Sequence, residues 1–127
     1  MVSLFIKEDD TFRIDFFIGQ NKDGKQTISL KKEDVVSPES HFVIFRKPNY
    51  RDNVAIISSS VSSNFQQITV DPAKMRYERF VRLAKEWSFV NEDKEIIVPT
   101  RENIDKLSPM LADFIVEQLD DLVGLVE

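Results

Sequence analysis

The chain of 127 residues contains no cysteine. That excludes disulfides, thiolate zinc sites and a thiol nucleophile, and it fits an intracellular setting. A single histidine, His41, is too little for a histidine-rich metal site. The three glycines, Gly19, Gly24 and Gly124, are too few and too scattered for a phosphate-cradling loop, and neither the dinucleotide nor the P-loop signature occurs. No apolar run reaches the roughly 18 residues of a membrane span. Residues 1–7 lack the basic region and long apolar stretch of a signal peptide. Basic side chains number 17 against 22 acidic ones, giving a formal charge of −5. That balance favours solubility and argues against a nucleic-acid binder, whose phosphate contacts need excess Lys and Arg.

What is present suffices for one packed domain over residues 1–127, since 42% of the residues are hydrophobic. Residues 1–47 read mainly as strands and residues 49–127 mainly as helices. Phe12, Ile14, Phe16 and Ile18 alternate with Arg13 and Asp15, a half-buried strand. The turn Asn21-Lys22-Asp23-Gly24-Lys25 and the extended pattern of residues 25–30 complete a hairpin. A third strand is expected over residues 41–46, closed by Pro48 and preceded by a charged connection over residues 31–40. Leu4-Phe5-Ile6 reads either as a further short strand or as a loosely packed segment.

Helical spacing begins at Asn49. Tyr50, Val54, Ile57 and Val61 recur at intervals of four, three and four, which predicts a helix over residues 49–59 and then a loop. Asp71 and Pro72 mark the start of a helix expected to run to Ser88, with Tyr77, Phe80, Val81, Ala84 and Trp87 on one face and Trp87 as a core anchor. Residues 91–94 read as a turn and residues 95–98 as a short extended piece. Thr100 and Ser108-Pro109 predict two separate helical pieces. The order, antiparallel strands first and three to four helices afterwards, predicts an α+β fold.

No catalytic, cofactor-binding or metal-ligating constellation emerges. Ser40 and His41 are neighbours on a predicted strand and so point to opposite faces. The acidic pairs Asp9-Asp10, Glu92-Asp93 and Asp120-Asp121 lack calcium-loop spacing and read as solvated surface. The helix from Pro72 is basic: Lys74, Arg76, Arg79, Arg82 and Lys85 face only Glu78 and Glu86. Residues 101–127 are acidic, so the two segments can complement each other or orient a partner. Leu111, Ile115, Leu119, Leu122 and Val126 form an apolar stripe that Phe114, Val116, Val123 and Leu125 widen beyond one packing face. The stripe reads either as an ordinary core helix of its own domain or, in its distal part, Leu119, Leu122, Val123 and Val126, as the contact with another polypeptide or a second copy of the chain.

One segment carries a resemblance. Trp87-Ser88-Phe89 leads through the acidic turn Asn91-Glu92-Asp93-Lys94 to Val98-Pro99-Thr100-Arg101-Glu102-Asn103-Ile104-Asp105-Lys106-Leu107-Ser108-Pro109, and then to Leu111-Ala112-Asp113-Phe114-Ile115. A tryptophan, an acidic turn and then Pro-x-Thr-x-Glu-Asn-x-Asp-x-Leu-x-Pro resemble tail assembly chaperones of long-tailed bacteriophages and related small phage tail proteins. Phe45-Arg46-Lys47-Pro48-Asn49-Tyr50-Arg51-Asp52 is similar to the way that group delivers an Arg-x-Pro strand end into its first helix. The turn departs from the group's pattern, because Lys94 runs directly into Glu95 without a glycine. The resemblance implies a non-catalytic factor, not an enzyme. It implies as partners the tape measure protein, whose long amphipathic helices need covering, and the tail tube protein. It places the chain in the cytoplasm of the infected bacterial host. The alternative it leaves open is a structural virion component, such as a tail or head-tail connector subunit.

Overall fold

The structure, a computed structural model, describes residues 4–63 and 68–123. It is α+β: an antiparallel four-stranded sheet, a two-stranded ribbon and four helices. β1 (Thr11–Gln20) pairs with β2 (Gln26–Ser29) through the expected hairpin, and with β3 (Val36–Arg46) on its other side. Ile14 lies opposite Val43, and Phe12 opposite Phe45, so the alternating apolar set of both strands faces one way. Arg13 and Asp15 take the other face and pair at 2.9 Å.

β3 starts earlier than the sequence pattern suggests. The connection expected over residues 31–40 is a short 3₁₀ turn, Lys32–Asp34, followed directly by strand. Pro38 is tolerated because the strand on the far side of β3 reaches only Val43, Ile44 and Phe45, so the missing amide breaks no ladder there. The β1–β3 register shifts between Ile18 and Gln20. Gly19 makes that shift possible, since a Cβ there would lie 2.6 Å from the Val36 carbonyl oxygen. Leu4 and Phe5 form no strand and are largely exposed.

α1 (Tyr50–Ser59) leads into a ribbon of β4 (Val61–Ser63) and β5 (Ile68–Val70) where a loop was expected. α2 (Pro72–Leu83) begins as its cap predicts, with the Asp71 carboxylate accepting the Ala73 amide at 3.0 Å. It ends five residues short of Ser88. Residues from Ala84 onward are taken by the sheet as β6 (Ala84–Trp87), pairing with β3 as Val43–Trp87 and Ile44–Glu86 and, after a one-residue shift, as Phe45–Ala84. Pairing with an existing strand here outweighs helix propensity. The strand order is therefore β2-β1-β3-β6.

α3 (Arg101–Asp105) and α4 (Pro109–Val123) are separate helices, capped by Thr100 and by Ser108 as expected. Ile14, Phe16, Val43, Phe45, Phe80, Leu83, Trp87, Ile104, Ile115 and Leu119 form one buried cluster between the sheet and the helices. Trp87 anchors it, donating its indole N–H to the Ile97 carbonyl and packing on Phe89 at 5.0 Å between ring centroids.

Two turns share one design. The side chain of Asn21 accepts the amides of Asp23 at 2.8 Å and Lys25 at 3.0 Å, and that of Asn91 accepts those of Asp93 and Glu95 at the same distances. The fourth residue is left-handed in both, Gly24 at φ 79° and Lys94 at φ 62°. Only the first is glycine. Lys94→Gly should therefore stabilise the chain by about 0.5–1 kcal/mol, the left-handed cost of a side chain less the extra entropy of glycine. Urea denaturation checks this; a loss of stability would mean that the Lys94 side chain contributes contacts of its own.

Candidate functional site

α1 faces the opposite way from an ordinary surface helix. Asn49 and Asp52 cap it reciprocally: the Asn49 side chain accepts the Asp52 amide at 2.9 Å, and the Asp52 carboxylate accepts the Asn49 amide at 3.0 Å. Asp52 is only 3% exposed. Its carboxylate also takes Arg46 of β3, with nitrogens at 3.1 and 3.2 Å, and Arg82 of α2 at 2.8 Å. One turn further on, Ile56 enters the core, and the buried Ser60 hydroxyl donates to the Ile56 carbonyl at 2.6 Å.

With Asp52, Ile56 and Ser60 turned inward, the stripe Tyr50, Val54, Ile57, Val61 is turned outward. These residues are 85, 46, 47 and 38% exposed. The ribbon continues the apolar surface. Val61 lies opposite Val70, so Val61, Val70 and Ile68 share one face, and all three are exposed. The sequence shows the stripe plainly, but helical periodicity alone does not say which way it points. The signal was the polar set between its members: an Asn-x-x-Asp cap with arginines in both neighbouring elements.

The four residues expected to contact a partner have different fates. Leu119 is completely buried in the core cluster and so is removed from the candidate surface, because its neighbours within the domain already cover it. Val123 packs partly against the same cluster, and Leu122 is 43% exposed. Val126 lies outside the described residues. The width of the stripe on α4 has a local explanation: Leu111, Phe114 and Val116 pack against the core from its flanks.

The arginines of α2 are engaged in ion pairs. Arg76 binds Asp120 at 3.0 Å, Arg79 binds the same carboxylate, and Arg101 of α3 binds Glu78 at 3.2 Å. The basic and acidic segments therefore do complement each other. Burial pulls the Arg79 pKa below its usual value and Asp120 opposes that shift. One terminal nitrogen of Arg79 is buried without a hydrogen-bond partner.

His41 does not work with Ser40. Its Nδ1 lies 3.0 Å from the Ser88 hydroxyl and its Nε2 2.8 Å from a Glu39 oxygen, an arrangement invisible in the sequence because Ser88 was assigned to a helix. Ser88 Oγ also accepts the Phe42 amide at 2.9 Å, while the Ser88 amide donates to the Phe42 carbonyl at 3.0 Å. The hydroxyl thus extends the β3–β6 ladder by one rung. The ring of His41 is held between Phe16 and Phe89, at 6.0 and 5.3 Å between centroids. A hydroxyl and ring locked in this way tie strands together; attack on a substrate would require both to let go.

Among the described residues no group of His, Asp and Glu has the geometry to hold a metal ion, and no helix is long and apolar enough to cross a membrane. Comparison with protein-family models, with curated proteins and with solved structures gives no match. The outward stripe of α1 is thus the strongest feature on which function can be built.

Burial pushes the Asp52 carboxyl up, but the hydrogen bonds from Arg46, Asn49 and Arg82 outweigh it and hold the pKa at about 2, below its ordinary 3.8. A depressed carboxyl contributes its stability above the unfolded pKa and loses it as pH falls toward the folded one. The stability difference between the native chain and Asp52→Asn should therefore shrink by about 2 kcal/mol as pH drops from about 5 to about 2. Denaturation series at several pH values measure it. A difference that does not change with pH would show that the carboxylate is not held ionised.

Proposed function

We propose that the chain is a non-catalytic phage tail assembly chaperone that covers apolar helices of the tape measure protein through α1. The observation that carries this is the outward stripe Tyr50, Val54, Ile57, Val61. A surface helix ordinarily turns its apolar stripe inward, because each Å² taken from water is worth about 25 cal/mol. Here the stripe is turned out, and the inward side of the helix carries the buried Asp52 carboxylate with its partners Arg46 and Arg82. Tyr50, Val54 and Ile57 stand at i, i+4 and i+7 of the helix, with Val61 following at the start of β4, and that is the spacing a second amphipathic helix needs for anchoring.

The resemblance adds the biological setting. Its residues are those that shape the domain: Trp87, Ile104 and Ile115 are buried and Thr100 caps α3. If the resemblance holds, these residues set an architecture common to the group, and the architecture carries the surface. On this reading the protein works in the cytoplasm of the infected bacterial host. It keeps the tape measure protein soluble until tail tube subunits assemble around it, and it leaves before the virion is complete. Mass spectrometry of purified virions then finds no copies. Stoichiometric copies would establish the alternative, a structural tail or connector subunit.

The direct test is co-expression with the tape measure protein of the same phage. Ile57→Glu should abolish co-purification, since desolvating an unpaired carboxylate costs several kcal/mol. Because Ile57 is half-exposed, the variant's own stability should change by no more than about 0.5 kcal/mol. Undiminished co-purification by the folded variant would remove α1 as the contact.

A further inference from the structure

The exposed side of α4 forms a ridge between two shallow apolar-floored cavities, and we propose that this ridge docks a basic amphipathic helix of another polypeptide. The ridge consists of Met110, Asp113, Glu117 and Asp121, all exposed at helical spacing. Asp113 lines the cavities on both sides. One, of about 350 Å³, lies between α2, α3 and α4 and has Phe80, Ile104, Leu107 and Val116 in its lining. The other, of about 380 Å³, lies between α4 and β2 and is lined by Ile28, Met110 and Phe114. Anchors seven residues apart on a docked helix are about 10 Å apart, close to the width of the helix they must straddle.

The charge of the occupant follows from the ion pairs already made. Arg76 and Arg79 are committed to Asp120, Arg101 to Glu78 and Lys106 to Glu102. Among the described residues, Asp113, Glu117 and Asp121 have no cationic partner, while the arginines of α2 and α3 are engaged with other carboxylates. A helix presenting Lys or Arg beside its apolar anchors is complementary to this ridge; one presenting Asp or Glu is repelled. The surface is separate from the α1 stripe, and the inference does not rest on the function proposed for that stripe. With both surfaces, one chain can hold two polypeptides together.

The test uses the full chain, isotope-labelled for NMR, and two synthetic 14-residue peptides of the same amphipathic pattern, one of leucine and lysine and one of leucine and glutamate. The lysine peptide should produce saturable shifts in α4 and around Ile28 and Leu107. Its affinity should fall as salt rises from about 0.05 M to about 0.5 M. The double variant Asp113→Asn, Glu117→Gln changes only exposed, unpaired groups, so it should fold normally and bind the peptide about fivefold more weakly. The glutamate peptide should not bind. The proposal is overturned by shifts confined to α1 or absent altogether, by equal binding of both peptides, or by unchanged affinity in the folded double variant.

Discussion

Asp52 joins three elements at one point. Its carboxylate caps α1, meets Arg46 at the end of β3 and receives Arg82 from the last turn of α2. A carboxylate buried to this degree is costly unless its lone pairs are filled, and here two guanidinium groups and a backbone amide fill them. What the arrangement contributes is orientation. A helix whose inward face is led by a carboxylate has one rotation that satisfies it, and in that rotation Tyr50, Val54 and Ile57 point to water. Removing the carboxylate would leave two guanidinium groups without their shared partner, which is how a single side chain comes to control the presentation of a whole surface.

The same logic of mutual satisfaction joins α2 to α4. Asp120 holds both Arg76 and Arg79, so the basic helix and the acidic helix neutralise each other where they pack. The acidic side chains on the far side of α4 are outside this exchange. The domain therefore presents two faces of different character, one apolar and one apolar with a negative ridge. A protein that must keep a long amphipathic chain soluble, and bring a second component to it, can use both.

Local signals made most of the elements legible. The alternation in β1, the Asn-based turn after it, the Asp71-Pro72 start and the separate starts of α3 and α4 all follow from residues within a few positions of each other. The misreadings share a physical cause, because each depends on something distant in sequence. β6 looks helical until β3 is there to pair with it. The ribbon exists because Val61 meets Val70. Leu119 reads as available for a partner because nothing in the sequence says that the domain's own core covers it. His41 finds Ser88 across 47 positions. The stripe on α1 was visible as a pattern, but its direction is decided by Arg46 and Arg82, whose approach only the fold can show.

Because the chain has no cysteine, a single introduced thiol reports on its own site alone. Val54→Cys, Ile57→Cys and Ile56→Cys, made one at a time in the full chain and treated with a maleimide under native conditions, test whether α1 presents its apolar stripe outward. The account predicts that the thiols at positions 54 and 57 react nearly as fast as in denaturant. The thiol at 56 should be protected by about a hundredfold or more, since it reacts only when the helix opens. Fast reaction at 56 with protection at 54 and 57 would mean that the stripe is buried, and would contradict the account.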